Sequence, residues 1–282
     1  MLPAIIPPVA YLCHKHNDLN ILFTLGRQTI SADTLIMEVG TDFCSYACLN
    51  SSKKEFELIR YYRFEEFEAE PSLRSILEEI EGSFHSVRIG NCFAQSLLTP
   101  RSLFKDDPAM LHRIYESFDT TYMHDQVQEW QLVTEHLMPT GFVDLIKERF
   151  PSAMFYHAFT PSLRIYNGFV APDQADIHFT TSHFRVVIKK QGQLQLAQTY
   201  AYKTPLDVVY YLLKIFYEFD LNQSEAFVIL SGLVEQDSAL YKELHHYFIN
   251  LHFAQPPLYA IPGDEHPQYY FTSLYNLASC GS

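Results

Sequence analysis

One order of elements occurs twice in this chain, and that order restricts the available folds more than any composition figure does. The clearer copy ends in residues 193–232. Residues 193–202 alternate, with Leu194, Leu196, Tyr200 and Tyr202 on one side, as a half-buried strand does. Thr204-Pro205-Leu206-Asp207 then reads as a helix start. Thr204 can cap, Pro205 suits the first helical position, and Asp207 faces the positive end of the dipole. Val208, Val209, Leu212, Leu213 and Phe216 follow at helical spacing. Residues 226–230 are an apolar run of strand length, closed by Ser231-Gly232. Upstream, residues 177–188 cover two strands and Gln191-Gly192 makes a turn. The copy therefore reads strand, strand, strand, helix, strand.

The first copy begins near Leu35. Residues 35–39 and 43–49 flank Gly40-Thr41-Asp42, a hairpin signal. Residues 55–64 are a third strand. Pro71-Ser72-Leu73 opens a helix with Leu73, Ile76, Leu77 and Ile80 on one face, ended by Gly82, and residues 84–89 return as a strand. Few residues match between the copies; the order is what repeats. The connecting stretch reads as helix 108–118, strand 129–134, helix 139–150, strand 153–159 and helix 161–166. Residues 238–251 form a last helix. Helices alternating with strands predict an α/β protein with mixed sheets covered by helices. The predicted divisions are an irregular lead-in over 1–32, a first lobe plus connecting segment over 33–170, a second lobe over 171–253, and a tail over 254–282. The tail holds four prolines and no clear period, so it is expected on the surface. Its Tyr269, Tyr270 and Phe271 suggest a docking segment; the alternative is a tail packed on its own domain.

Composition narrows the function classes. With 48% hydrophobic and 19% charged residues in 282, the chain can bury a sizeable core. A net charge of −13 argues against a duplex nucleic-acid binder and against docking on anionic lipid. Aromatic residues reach 15%, which fits either a sticky partner surface or an aromatic core; the core is favoured. The start Met-Leu-Pro-Ala-Ile-Ile-Pro-Pro is a poor secretion signal. The best apolar run, 208–219, is cut by Lys214 and Glu218, so no membrane insertion is expected. The expected compartment is the cytoplasm, and five scattered cysteines without a C-x-x-C fit it. His14-Lys15-His16-Asn17-Asp18 lacks further ligands at a familiar spacing and reads as a solvated loop.

A duplicated three-strand, helix, strand unit resembles the plan of the actin-like ATPase superfamily, which includes hexokinases, heat-shock chaperone ATPases and pilus-assembly actin-like proteins. Gln131-Leu132-Val133-Thr134-Glu135-His136 with Pro139, the helix from Phe142 to Phe150, and Ala153-Met154-Phe155-Tyr156 look like the actin segment entering its second domain. The chain also resembles a bacterial family of unknown function described as actin-like. That likeness runs through residues 43–49, Tyr202-Lys203-Thr204-Pro205, Tyr210-Tyr211-Leu212-Leu213 and Leu230-Ser231-Gly232. The likeness covers roughly residues 33–252.

The superfamily resemblance implies a nucleotide cleft between the copies. Two Asp-x-Gly hairpin turns would grip phosphates and Mg²⁺, and a Gly-Gly turn would hold the adenosine. The first turn here is Glu38-Val39-Gly40-Thr41, with its glycine kept and its carboxylate one methylene longer. The second aligns as His178-Phe179-Thr180-Thr181-Ser182, without the Asp or the glycines. An imidazole is a poor substitute for a carboxylate that orders Mg²⁺-bound water. The third is Ser231-Gly232-Leu233, with one glycine of two. Glu38, Gly40, Thr41, His178, Thr180, Ser231 and Gly232 are thus the candidate cofactor residues. Each has a plainer alternative: Glu38 as a solvent-facing strand end, His178 as a half-buried strand histidine, Ser231-Gly232 as a bend. No catalytic residue and no metal ligand is singled out. The expectation is a pseudo-ATPase that binds ATP and Mg²⁺ weakly or not at all and serves a protein partner. The alternative is a nucleotide-dependent ATPase or small-molecule kinase using Glu38.

Overall fold

A computed structural model describes residues 19–26, 31–164, 171–255, 259–261, 263 and 266–280. The His14–Asp18 stretch and Cys13 lie outside the described residues. The first lobe begins with β1 (Asn20–Gly26), β2 (Thr34–Val39), β3 (Phe43–Asn50), β4 (Glu55–Arg63), α1 (Ala69–Glu79) and β5 (Ser86–Asn91). The middle of the chain adds β6 (Ser96–Pro100), α2 (Pro108–Tyr115), β7 (Thr120–Val127), β8 (Leu132–Pro139), α3 (Thr140–Arg149), β9 (Met154–His157) and α4 (Phe159–Arg164). The second lobe is β10 (Gln174–Phe179), β11 (His183–Lys190), β12 (Gln193–Ala201), α5 (Pro205–Glu218), β13 (Phe227–Gly232), α6 (Ala239–Tyr247) and β14 (Leu251–Phe253). A 3-10 turn, Gln268–Phe271, leads into α7 (Thr272–Ala278).

The duplication holds in order and in direction. One sheet runs β1-β4-β3-β2-β5-β9 and the other β12-β11-β10-β13-β14. In each, a three-stranded antiparallel meander is followed by a helix and a parallel strand beside the first. A further parallel strand, β9 or β14, then extends each sheet. β6, β8 and β7 form a separate antiparallel sheet between the lobes in sequence.

Strand parity decides which face each residue serves. Leu35, Met37 and Val39 of β2 pack beneath Leu73, Ile76 and Leu77 of α1 and Phe142, Val143 and Ile146 of α3. Ile36, on the other face, joins Ala47, Phe56 and Ile59 against Leu274, Tyr275 and Leu277 of α7. β2 is buried on both faces, as a strand in the middle of three layers must be. In the second lobe Ala175, Ile177 and Phe179 meet Val208, Leu212, Ile215 and Phe216 of α5. The opposite face carries Val187 against Phe159 and Leu163 of α4. Among the described residues no helix is long and apolar enough to cross a membrane.

Four expectations need correction, the first being the last helix, which ends at Tyr247 rather than 251, with Leu251 opening β14. The lead-in is not irregular throughout, because residues 20–26 pair with β4 as an edge strand. The strand expected at 129–134 is a 3-10 turn at Gln128–Trp130 followed by β8, and β7 was not foreseen. β7 reads Thr-Thr-Tyr-Met-His-Asp-Gln-Val; its polar residues obscure the period, although Asp125 is buried in the structure. Over residues 271–278 the tail is not on the surface. Phe271, Leu274, Tyr275, Leu277 and Ala278 are buried against the first lobe, so the segment is a layer of the core.

Candidate functional site

The hairpins β2-β3 and β10-β11 have equal loops, so their residues correspond one to one. Glu38 pairs with Ser45 across the first hairpin, and His178 pairs with Arg185 across the second. On the parallel side Glu38 neighbours Gly90, and His178 neighbours Ser231. Glu38 and His178 are therefore equivalent positions, as are Gly40 and Thr180, Ser45 and Arg185, and Gly90 and Ser231.

Glu38 does not face solvent; it is 5% exposed. Its Oε1 lies 3.7 Å from Nη2 of Arg185, itself buried on the other lobe. Ser273 Oγ of α7 donates to Oε2 at 2.7 Å. Cys92 Sγ stands 3.7 Å from Oε1 and 3.5 Å from Arg185 Nη1. Burial, and then the Glu38 charge, hold the Cys92 thiol protonated. One carboxylate thus joins both lobes and the carboxyl-terminal helix.

The turns themselves are filled. The Gly40 N–H donates to the Phe43 carbonyl at 3.0 Å. A Cβ at Gly40 would stand 2.4 Å from the Phe43 ring, which stacks on Tyr61. The glycine is required by that ring whether or not a phosphate ever approaches. Thr41 sits half-buried at the hairpin tip. In the second turn the Thr180 hydroxyl donates to the His183 carbonyl at 3.0 Å, closing the loop on itself. His178 Nδ1 meets Ser231 Oγ at 3.0 Å. Burial, and then the Arg185 charge, push the His178 pKa well below the ordinary 6.5, so the imidazole is neutral. Gly232 has φ +76°, and a Cβ there would stand 2.1 Å from the Phe179 carbonyl oxygen, so only glycine fits.

Three of the seven candidates, Glu38, His178 and Thr180, thus line one cleft, and Gly40, Ser231 and Gly232 each adjoin a residue that lines it. That cleft is almost closed. Tyr270, Phe271, Ser273 and Leu274 line it together with Glu38 and His178, and about 10 Å³ remains. That volume suits one water at most, against the several hundred Å³ of a small-molecule site. Among the described residues no group of three or more His, Cys, Asp or Glu side chains is placed to hold a metal.

Sequence reasoning missed Arg185, Cys92 and Ser273. Arg185 had a signal, being a charge set between Phe184 and Val186 in an apolar strand. It also missed a buried polar group at the ends of β5 and β9. There the Asp125 carboxylate accepts from the His157 N–H at 2.7 Å and the Thr160 hydroxyl at 2.8 Å, and lies 3.4 Å from His136 Nε2. Asn91 Nδ2 meets His136 Nδ1 at 2.9 Å.

Two sheets of matching topology, with equivalent hairpins facing one cleft, define a protein of the actin-like ATPase fold. The comparisons agree. A Bacteroides thetaiotaomicron protein with an actin-like ATPase fold and unknown function matches at TM-score 0.74 and 18% identity, over 88% of this chain and 95% of that one. PilM, from a PilM-PilN type IV pilus biogenesis complex, matches at TM-score 0.54 and 11% identity, over 88% and 98%. The chain belongs to the family described as "Protein of unknown function (DUF3822)", whose model matches residues 24–251. Comparison with the curated proteins finds no match.

Proposed function

We propose that this protein is a non-catalytic binding or scaffold module of the cytoplasm, built on an actin-like fold whose nucleotide cleft is degenerate and internally occupied. The observation that carries the reading is the position of Glu38. Its two oxygens are engaged by Arg185 and Ser273, and the chain's own Tyr270–Leu274 segment fills the space beside it. Hydrolysis in such a cleft needs Mg²⁺ bridging the terminal phosphates and a water held in line. Here Arg185 stands at the carboxylate where a cation would compete, and neutral His178 holds the equivalent position opposite. PilM, with the same fold, is found in complex with PilN, which supports a protein as this chain's partner.

The alternative is an ATPase or small-molecule kinase working through Glu38. Phosphate release by the purified parent protein separates the two. The expected result is no Mg²⁺-dependent turnover above blank, with calorimetry showing weak ATP binding at most. Turnover in the parent that vanishes in Glu38→Gln would overturn the proposal.

A further inference from the structure

β12 is an unguarded edge. It lies at the margin of the second sheet, and among the described residues it pairs with β11 alone. Every second N–H and C=O along its nine residues points away from the sheet. Among the described residues none of them bonds the backbone of another element. The strand reads Gln-Leu-Gln-Leu-Ala-Gln-Thr-Tyr-Ala, with no charge, proline or glycine. Natural edges are ordinarily blunted by charge, proline, bulges or short length. The other margins are shorter or interrupted: β14 has three residues, β9 four, β6 five ending in Pro100, and β1 is broken by a register shift between Ile21 and Phe23 and closes on Gly26. β7 carries His124 and Asp125. β12 has one register shift, near Gln195, which leaves residues 196–201 as a regular edge.

We propose that β12 is the seam of a symmetric pair of chains. Two copies align antiparallel along residues 196–201 about a two-fold axis at Gln198, so that two five-stranded sheets become one continuous sheet. The register follows from strand parity. With Gln198 opposite itself, Leu196 of each copy meets Tyr200 of the other on the α5 face, a cross-strand pair of aliphatic with aromatic. Ala197 meets Thr199 on the opposite face. The occupant is a second copy because it brings an edge of the same length and the same lack of charge. Each chain carries a net −13, so copies repel in general. Along this strand no carboxylate faces another. The inference stands independently of whether the cleft takes nucleotide.

One position tests it in both directions. Gln198→Lys sets two like charges face to face, whereas Gln198→Cys brings two thiols within disulfide reach across the axis. Sedimentation of the full chain across the micromolar range should show the parent at about twice the monomer mass. Gln198→Lys should sediment at the single mass with unchanged circular dichroism. Gln198→Cys should give a covalent dimer on oxidation that reduction reverses. Hydrogen exchange on the parent needs no variant: amides of 196–201 should slow as concentration rises. A parent at single mass throughout overturns the proposal. So does a dimer that Gln198→Lys leaves intact, or exchange at 196–201 indifferent to concentration.

Discussion

Arg185 holds in the second lobe the place that Ser45 holds in the first, and this one difference decides the electrostatics of the cleft. A serine there would leave Glu38 a buried carboxylate without a cation. The arginine gives it one, and both charges are desolvated. Removing one member strands the other, at a cost of about 3–5 kcal/mol. Arg185→Met should therefore be severely destabilising in urea melts, while Arg185→Met combined with Glu38→Gln should recover much of the loss. Additive single losses would show that the two groups are not coupled. His178 makes a second prediction. In the unfolded chain its pKa is about 6.5; in the fold burial and Arg185 hold it well below that. His157 is lowered too, by burial and then by the charge of His136. A depressed histidine pKa means that the unfolded state binds the proton more readily. Stability from these groups is complete above about pH 6.5 and is lost as pH falls below it. Melts between about pH 7 and pH 5.5 should show that decline, and His178→Gln should make it shallower. An identical slope in the variant would remove His178 from the account.

Elements whose signals are local could be read directly. α5 has its reciprocal cap as the sequence implies: Asp207 N–H donates to Thr204 Oγ1 at 3.3 Å, and Asp207 Oδ2 accepts from the Thr204 N–H at 2.8 Å. Its inward face is the apolar stripe, and Leu212 has no exposed surface. Leu212→Ala should cost about 2–5 kcal/mol in denaturant melts. A loss well under 1 kcal/mol would mean that the site collapses without a cavity. The hairpin around Gly40 was legible for the same reason, as apolar runs on either side of turn residues, whereas the turn at Thr180 was placed by the superfamily resemblance. α7 was not. Its pattern Phe271, Leu274, Tyr275, Leu277, Ala278 is helical, but it is short and follows four prolines, which weigh a local reading toward loop. Nothing nearby in the sequence shows which surface it covers.

At the scale of the whole molecule the duplication was readable because element order survives when residue identity does not. Glu38 and Gly40 could be placed on their turn because its signal is local, and His178 and Thr180 were placed by the resemblance to the superfamily's second turn. The clasp around Glu38 could not be read, since it joins β2, β11 and α7, three segments far apart in the chain. That separation has a consequence for biosynthesis. Ser273 follows its partner Glu38 by 235 residues. At ordinary rates of translation the interval is roughly 10–50 s. Until α7 emerges, the face made by Ile36, Ala47, Phe56 and Ile59 lacks the cover of Leu274, Tyr275 and Leu277. The first lobe is therefore made early and finished late, and for much of its synthesis it presents to chaperones the apolar surface that the mature protein hides.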